Sequence, residues 1–104
     1  MKIELLYLDD CPNWRQTWED IATVLHGHHL VVDIDLIKVT SAEEAEQMAF
    51  SGSPTVRVDG FDVDPDAPTS GFGLGYRIYA VEEDEPEERP PKEWIAAALE
   101  WASG

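Results

Sequence analysis

The stretch from Leu5 to Trp14 reads Leu-Leu-Tyr-Leu-Asp-Asp-Cys-Pro-Asn-Trp and constrains the fold more than any other part of the chain. An apolar run ends at two aspartates, and Cys11, the only cysteine of the protein, follows at once. Pro12 fits the first position of a helix, where its missing N–H loses no hydrogen bond. The stretch therefore predicts a buried strand over 2–8 and a loop that delivers a thiol to a helix start.

Local signals place further elements along the chain. Apolar residues recur at helical spacing after Pro12, and branched apolar residues alternate with acidic ones before Val39, as in a half-buried strand. Ser41 followed by Glu44 forms a capping box, which is typical of a helix start. The predicted strands cover 2–8, 30–39, 55–58 and 76–81, and the predicted helices cover 12–27, 42–50 and 90–102.

This element order, β-α-β-α-β-β-α, predicts a single α/β domain over residues 1–104. The first two strands should be parallel, because a helix connects them. Asp59-Gly60 is a hairpin-turn dipeptide, and the Gly- and Pro-containing stretch 62–75 is expected to be the longest loop. The acidic stretch 82–90 has few apolar residues to anchor it, so we expect a solvated, flexible connector to the last helix.

Charge and cysteine content exclude several classes of function. The chain carries 22 acidic and 7 basic residues, a net charge of −15, which repels phosphate backbones and anionic lipid. We therefore expect no nucleic-acid or membrane binding and a preference for cationic partners. A high-salt adaptation is an alternative explanation of the acidic surface. One cysteine excludes an intramolecular disulfide and any Cys-x-x-Cys pair, and the absence of a visible secretory signal predicts a cytoplasmic location.

Two groups of residues invite a metal interpretation that their spacing does not favour. The three histidines come where the first predicted helix ends, and their spacing of i, i+2 and i+3 does not place three ligands on one face of a helix. The alternating aspartates lack the register of a calcium-binding loop, so a solvated loop is the better interpretation. We predict no metal site and no cofactor, with a site of Cys11 and one histidine as a weaker alternative. These groups are His26, His28 and His29, and Asp62, Asp64 and Asp66.

Two motifs resemble those of the thioredoxin-like superfamily: Asp10-Cys11-Pro12-Asn13-Trp14 after the first strand and Gly52-Ser53-Pro54-Thr55-Val56 before the third. The chain is most similar to small thioredoxin-family proteins with a single Cys-Pro motif, some of them labelled alkylmercury-lyase-like. In the superfamily a cis-proline lies beside the active cysteine, and the backbone before it pairs with extended peptide or thiol ligands. The resemblance implies a three-layer sandwich with a central mixed sheet and a cis Ser53–Pro54 bond. It also implies a site at which Cys11 is catalytic and the binding residues are Pro12, Trp14, Ser53, Pro54 and Thr55.

The chain departs from redox-active thioredoxins at Trp14, which stands where their second cysteine lies. A dithiol cycle within one chain is therefore excluded, and organomercurial cleavage, which needs more than one thiolate, is disfavoured. The four tryptophans are interpreted as core or interface anchors, and Trp14 as a cover or apolar wall for the thiol.

Three reactions remain open to a lone Cys11 thiol. It can form a mixed disulfide with a glutathione-like small thiol or a protein thiol, be oxidised to sulfenic acid, or bridge two copies in a homodimer. A helix N-terminus favours the thiolate, whereas Asp9 and Asp10 oppose it. We expect a monothiol redox or thiol-binding protein, whether or not it is an enzyme. The alternative is a non-catalytic interaction module that kept the fold and lost the chemistry.

Overall fold

The computed structural model describes residues 1–81 and 85–103. Within these residues the order of strands and helices matches the prediction, with three helices and a four-stranded sheet, although the fourth strand is a different segment from the predicted one. None of the helices in this described part is both long and apolar enough to cross a bilayer. Residues 82–84 of the predicted flexible connector lie outside the described residues. The elements are β1 (Ile3–Tyr7), α1 (Trp14–Gly27), β2 (Ile34–Lys38), α2 (Ala42–Gln47), β3 (Thr55–Val58), β4 (Phe61–Asp62) and α3 (Lys92–Ser103).

The sheet is mixed, with the strand order β2-β1-β3-β4. β1 runs parallel to β2, with Leu5 opposite Leu36, as the intervening helix predicted. β1 runs antiparallel to β3, where Leu5 lies opposite Val56. Because β1 has a neighbour on each side and apolar clusters on both faces, its residues read as a nearly continuous apolar run.

Alternate residues of β1 belong to two separate apolar clusters, which lie on opposite faces of the sheet. Ile3 and Leu5 pack in the cluster that contains the buried residues of α1 and α3. Leu6 belongs to a second cluster, formed with α2 and the segments around it. The sheet therefore has α1 and α3 on one face and α2 on the other. The second cluster comprises Leu6, Leu8, Cys11, Val39, Ala45 and Phe50.

The fourth strand differs from the prediction. It is β4, which directly follows the Asp59-Gly60 turn and pairs antiparallel with β3. The predicted strand 76–81 is wrong: with the described part of the chain this segment makes single-residue bridges, Ser53 with Tyr76 and Tyr79 with Glu87, and no strand. Its alternating pattern is real, since alternate side chains are buried, but the pattern reports burial and does not identify a pairing partner.

The predicted start of the first helix at Pro12 is also wrong. Pro12 lies in a turn, and the N-cap residue of α1 is Asn13. The Cys11 N–H donates to the Leu8 carbonyl at 3.0 Å, which closes a tight turn after the strand. The helix therefore begins only at Trp14, once this turn is complete.

The tryptophans divide into two pairs. Trp14 stacks on Tyr7 with ring centroids 4.3 Å apart, and Trp94 packs edge-on against Tyr79 at 6.0 Å. Trp18 and Trp101 are exposed. Trp14 and Trp94 therefore pack against the core, whereas Trp18 and Trp101 lie on the surface.

Candidate functional site

Cys11 lies in the loop between β1 and α1, three residues before the helix begins. Its residue is 5% exposed, and it packs in the apolar cluster with Leu6, Val39 and Phe50. The thiol is thus close to the start of a helix, as predicted, but it is screened from solvent. A thiol in this position needs a movement of its surroundings before a bulky reagent can reach it.

Ser53 and Cys11 belong to segments that are joined directly. The Ser53 hydroxyl accepts a hydrogen bond from the Leu8 N–H at 3.0 Å, in a buried position at the end of β1. The Ser53–Pro54 bond is cis, in agreement with the expectation, and Pro54 is buried. Thr55 begins β3, and its hydroxyl donates to the Gly52 carbonyl at 2.6 Å. The two motifs that were far apart in the sequence therefore meet at one end of the sheet.

The other two predicted binding residues lie on the helix side of Cys11. Pro12 is exposed in the turn before α1. Trp14 packs against the cluster that contains Cys11, and its ring carries the guanidinium of Arg15 at 5.0 Å. Trp14 therefore lies beside the apolar cluster that holds the thiol.

The backbone of Ser53 is already paired with the protein's own chain. The Ser53 N–H donates to the Gly75 carbonyl at 2.9 Å, and the Arg77 N–H donates to the Ser53 carbonyl at 2.9 Å. We call residues 75–79 the strap. The two bonds form a parallel bridge between Ser53 and Tyr76, so the strap fills the backbone position at which the resemblance implied a ligand.

Tyr76 of the strap reaches the loop that carries the thiol. Its residue is 57% exposed, and its hydroxyl donates to the Asp10 carbonyl at a long 3.5 Å. The pKa of Tyr76 is raised, because loss of hydration, then the Asp10 charge and the Cys11 thiol, disfavour the phenolate. Tyr76 therefore lies opposite Ser53 in the backbone bridge, and its neutral phenol reaches Asp10, the residue before Cys11.

The buried side chain of Arg77 anchors the strap to the segment 55–64. Its side chain is 3% exposed and donates to Asp62 Oδ2 at 2.6 Å, Asp64 Oδ2 at 3.3 Å and Thr55 Oγ1 at 3.2 Å. Burial acts to lower the pKa of Arg77, but the hydrogen bond and charge of Asp62 outweigh it and raise the pKa. Asp62 and Asp64, which the sequence placed in a solvated loop, are the counter-ions of a buried cation.

Tyr79 and Gly52 make the remaining contacts between the strap and the segment around Ser53. Tyr79 is fully buried, and its hydroxyl donates to the Pro54 carbonyl. Burial raises the pKa of Tyr79 far above its ordinary value, so it remains a donor. Gly52 has a φ of +136°, and a Cβ built there would lie 3.0 Å from the Arg77 nitrogen. The absence of a side chain at residue 52 therefore lets the strap approach Ser53 this closely.

Gly52, Tyr76, Arg77 and Tyr79 are residues of this site to which the sequence analysis gave no role. A signal for Arg77 was present: the alternation in 76–81 places it on the same inward side as Tyr79, where a cation needs acidic partners. Three alternating aspartates begin at Asp62 and were available as such partners. Nothing local indicated that the strap would lie against Ser53.

The three histidines lie on the surface, away from this site. They are exposed at the end of α1, where His28 contacts the Val24 carbonyl at 3.0 Å and Glu100 at 3.5 Å. Within residues 1–81 and 85–103, no group of three or more His, Cys, Asp or Glu side chains could hold a metal ion.

No family model, no curated protein and no solved structure matches this chain. The geometry around Cys11 and Ser53 therefore carries the functional assignment.

Proposed function

We propose that the chain has a thioredoxin-like fold, a three-layer sandwich around a mixed sheet. The support is the element order β-α-β-α-β-β-α, with helices on both faces of the sheet. Further support is the position of the two motifs: Cys11 follows β1 and Ser53 precedes β3, at the same end of the sheet.

On this fold we propose a monothiol function, in which Cys11 forms a mixed disulfide with a small thiol or a protein thiol. The observation that carries the proposal is the Leu8 N–H bond to the Ser53 hydroxyl. It holds the thiol loop beside the Ser53 backbone, the position at which the resemblance implies pairing with an extended ligand. A cytoplasmic location fits this function, because reduced thiols are maintained there.

The proposed step is a thiol–disulfide exchange. The Cys11 thiolate attacks one sulfur of an external disulfide, its S–S bond breaks, and the second sulfur leaves as a thiolate. The product is a disulfide between Cys11 and the ligand. Because Trp14 occupies the position of a resolving cysteine, an external thiol must release the ligand by the same exchange in reverse.

The test is incubation of the reduced protein with glutathione disulfide, followed by intact-mass analysis. We expect one glutathione per chain, removed by dithiothreitol, in the wild type and faster in Tyr76→Ala, which opens the site. Cys11→Ser should gain none, and the wild type unfolded in urea gives the rate of a free thiol. A Cys11 that stays unmodified in both folded proteins contradicts the proposal.

A second candidate, the interaction module, is favoured by an exposed aromatic pair far from the thiol loop in sequence. Phe61 is 62% exposed and Trp101 is 66% exposed, with ring centroids 5.3 Å apart in an edge-to-face pair. They border a groove of about 340 Å³ that includes Val58 and Ala98. Exposed aromatic groups of this kind are typical of protein interfaces. The net charge of −15 favours a basic partner.

The two candidates differ in the residue they need. If the protein is an interaction module, Cys11→Ser should restore the phenotype of a deletion strain as well as the wild type, and Trp101→Ala should not. If the protein acts through its thiol, the two variants should behave in the opposite way.

A further inference from the structure

The backbone of Ser53 offers one N–H and one C=O, and the strap uses both. The partners are the Gly75 carbonyl and the Arg77 N–H, each at 2.9 Å. An extended peptide that paired with Ser53 would need the same two groups, because each residue carries only one backbone donor and one acceptor position in such a bridge. The strap and an extended ligand therefore exclude one another.

The contact between the strap and Ser53 is close and specific. A Cβ at Gly52 would lie 3.0 Å from the nitrogen, 3.1 Å from the Cβ and 3.2 Å from the Cα of Arg77. Such separations are tighter than ordinary Cβ contacts, and a φ of +136° also strains any side chain at residue 52, so a substitution there would shift the strap by a few tenths of an ångström. The N-terminal side of the Ser53–Pro54 turn is therefore shaped to accept a backbone segment at this distance.

The two halves of the strap are held with different strength. Arg77 and Tyr79 are buried, with the ion pairs and hydrogen bonds described above. The preceding half is exposed, and a Cβ at Gly75 would meet no atom within 4 Å. The link before it is a single backbone bond, from Gly73 to Phe50 at 3.1 Å. Segments with few buried contacts open at low free-energy cost. Gly75 and Tyr76 can therefore lift, together with the backbone N–H of Arg77, while the buried side chains of Arg77 and Tyr79 stay anchored.

We propose that the strap is an internal pseudo-ligand that closes the Cys11 site, and that a peptide-like thiol must displace the Gly75 carbonyl and the Arg77 N–H from Ser53 to reach the thiol. This inference rests on the proposed function, since it concerns access to the same cysteine. In the closed form the strap fills the Ser53 backbone position and Tyr76 bridges to Asp10, beside a Cys11 that is 5% exposed. On opening, the Arg77 anchor keeps the strap nearby, so the site closes again when the ligand leaves.

The test compares the rate at which Cys11 reacts with 5,5′-dithiobis(2-nitrobenzoate) in five folded proteins. Tyr76→Ala removes the bridge to Asp10, and Ile78→Ala is its matched control, because Ile78 lies on the same strap and is 59% exposed. Gly52→Ala pushes the Arg77 backbone away. Gly60→Ala is its control, since Gly60 also has a positive φ, +85°, but a Cβ there would meet nothing within 4 Å.

We expect Tyr76→Ala and Gly52→Ala to react about tenfold faster than the wild type, the equivalent of one lost hydrogen bond. Ile78→Ala and Gly60→Ala should match the wild type. Circular dichroism and thermal unfolding show which variants are folded, and Tyr76→Ala, an exposed position, serves if Gly52→Ala unfolds. Equal, measurable rates in all folded proteins overturn the inference that the strap closes the site, while leaving the monothiol function intact. A Cys11 that is inert even in folded Tyr76→Ala overturns the monothiol function, and the strap inference with it.

Discussion

At the residue scale, the guanidinium of Arg77 lies between the carboxylates of Asp62 and Asp64 and touches the hydroxyl of Thr55. Taking such a charge out of water costs several kcal/mol unless partners offset the cost. Here the two carboxylates and the Thr55 hydroxyl offset this cost, and the guanidinium also lies 4.5 Å from the centre of the Tyr79 ring. Removing the cation alone would leave two poorly hydrated carboxylates facing each other.

We therefore predict that Arg77→Ala lowers the free energy of unfolding by about 3 kcal/mol, the cost of breaking a buried ion pair. Urea denaturation measures the change. Arg15→Ala is the control, because Arg15 is exposed, and it should cost less than about 1 kcal/mol. A loss for Arg77→Ala no larger than that of Arg15→Ala would show that the ion pairs do not hold the strap.

At the element scale, α2 begins at a reciprocal cap. The Ser41 hydroxyl accepts from the Glu44 N–H at 3.1 Å, as the capping box predicted. The Glu44 carboxylate bonds one residue further back than in the usual box, accepting from the Thr40 N–H at 3.1 Å and from the Thr40 hydroxyl. The hydroxyl of Thr40, then its N–H, lower the pKa of Glu44.

This cap gives a pH-dependent contribution of defined sign. Because the pKa of Glu44 is lower in the folded state, its contribution is present above the ordinary value of 4.5 and is lost as pH falls through the folded value. We predict that Glu44→Gln is less stable than the wild type at pH 7 and that the difference shrinks below pH 4.5. Thermal unfolding of both proteins across this range measures it. A difference that is constant with pH would contradict the assignment.

The elements that the sequence predicted correctly are those fixed by local chemistry. β1 is an apolar run, α2 has its capping box, and the parallel pairing of β1 with β2 follows from the helix between them. The resemblance predicted that Cys11 and Ser53 lie close together. In the structure the Ser53 hydroxyl joins their two segments by accepting from the Leu8 N–H. The strand prediction for 76–81 failed because alternation reports which side chains are buried, whereas the partner of the strap, Ser53, is distant in sequence. The ion pairs of Arg77 were not predicted either, although the alternation in 76–81 and the aspartates from Asp62 onward were a signal for them.

At the scale of the whole molecule, the net charge of −15 dominates the long-range electrostatics. Repulsion among like charges destabilises the compact state, and dissolved salt screens it. We predict that the thermal midpoint at pH 7 rises as sodium chloride is increased from low to moderate ionic strength. Potassium chloride should act equally, because screening does not depend on the identity of the ion. A midpoint that falls with salt would mean that favourable ion pairs, such as those of Arg77, outweigh the repulsion.

The closed site is also a property of the whole molecule, because it joins β1, the turn before β3 and the strap. The direct test is amide hydrogen exchange at Arg77, followed by NMR in the reduced protein and in the glutathione mixed disulfide of Cys11. In the reduced protein the Arg77 amide should be protected by the Ser53 carbonyl, which accepts from it at 2.9 Å. In the mixed disulfide we predict that this protection is lost, while the Val58 amide in β3 stays protected. Unchanged protection at Arg77 after Cys11 has taken up glutathione would contradict the account.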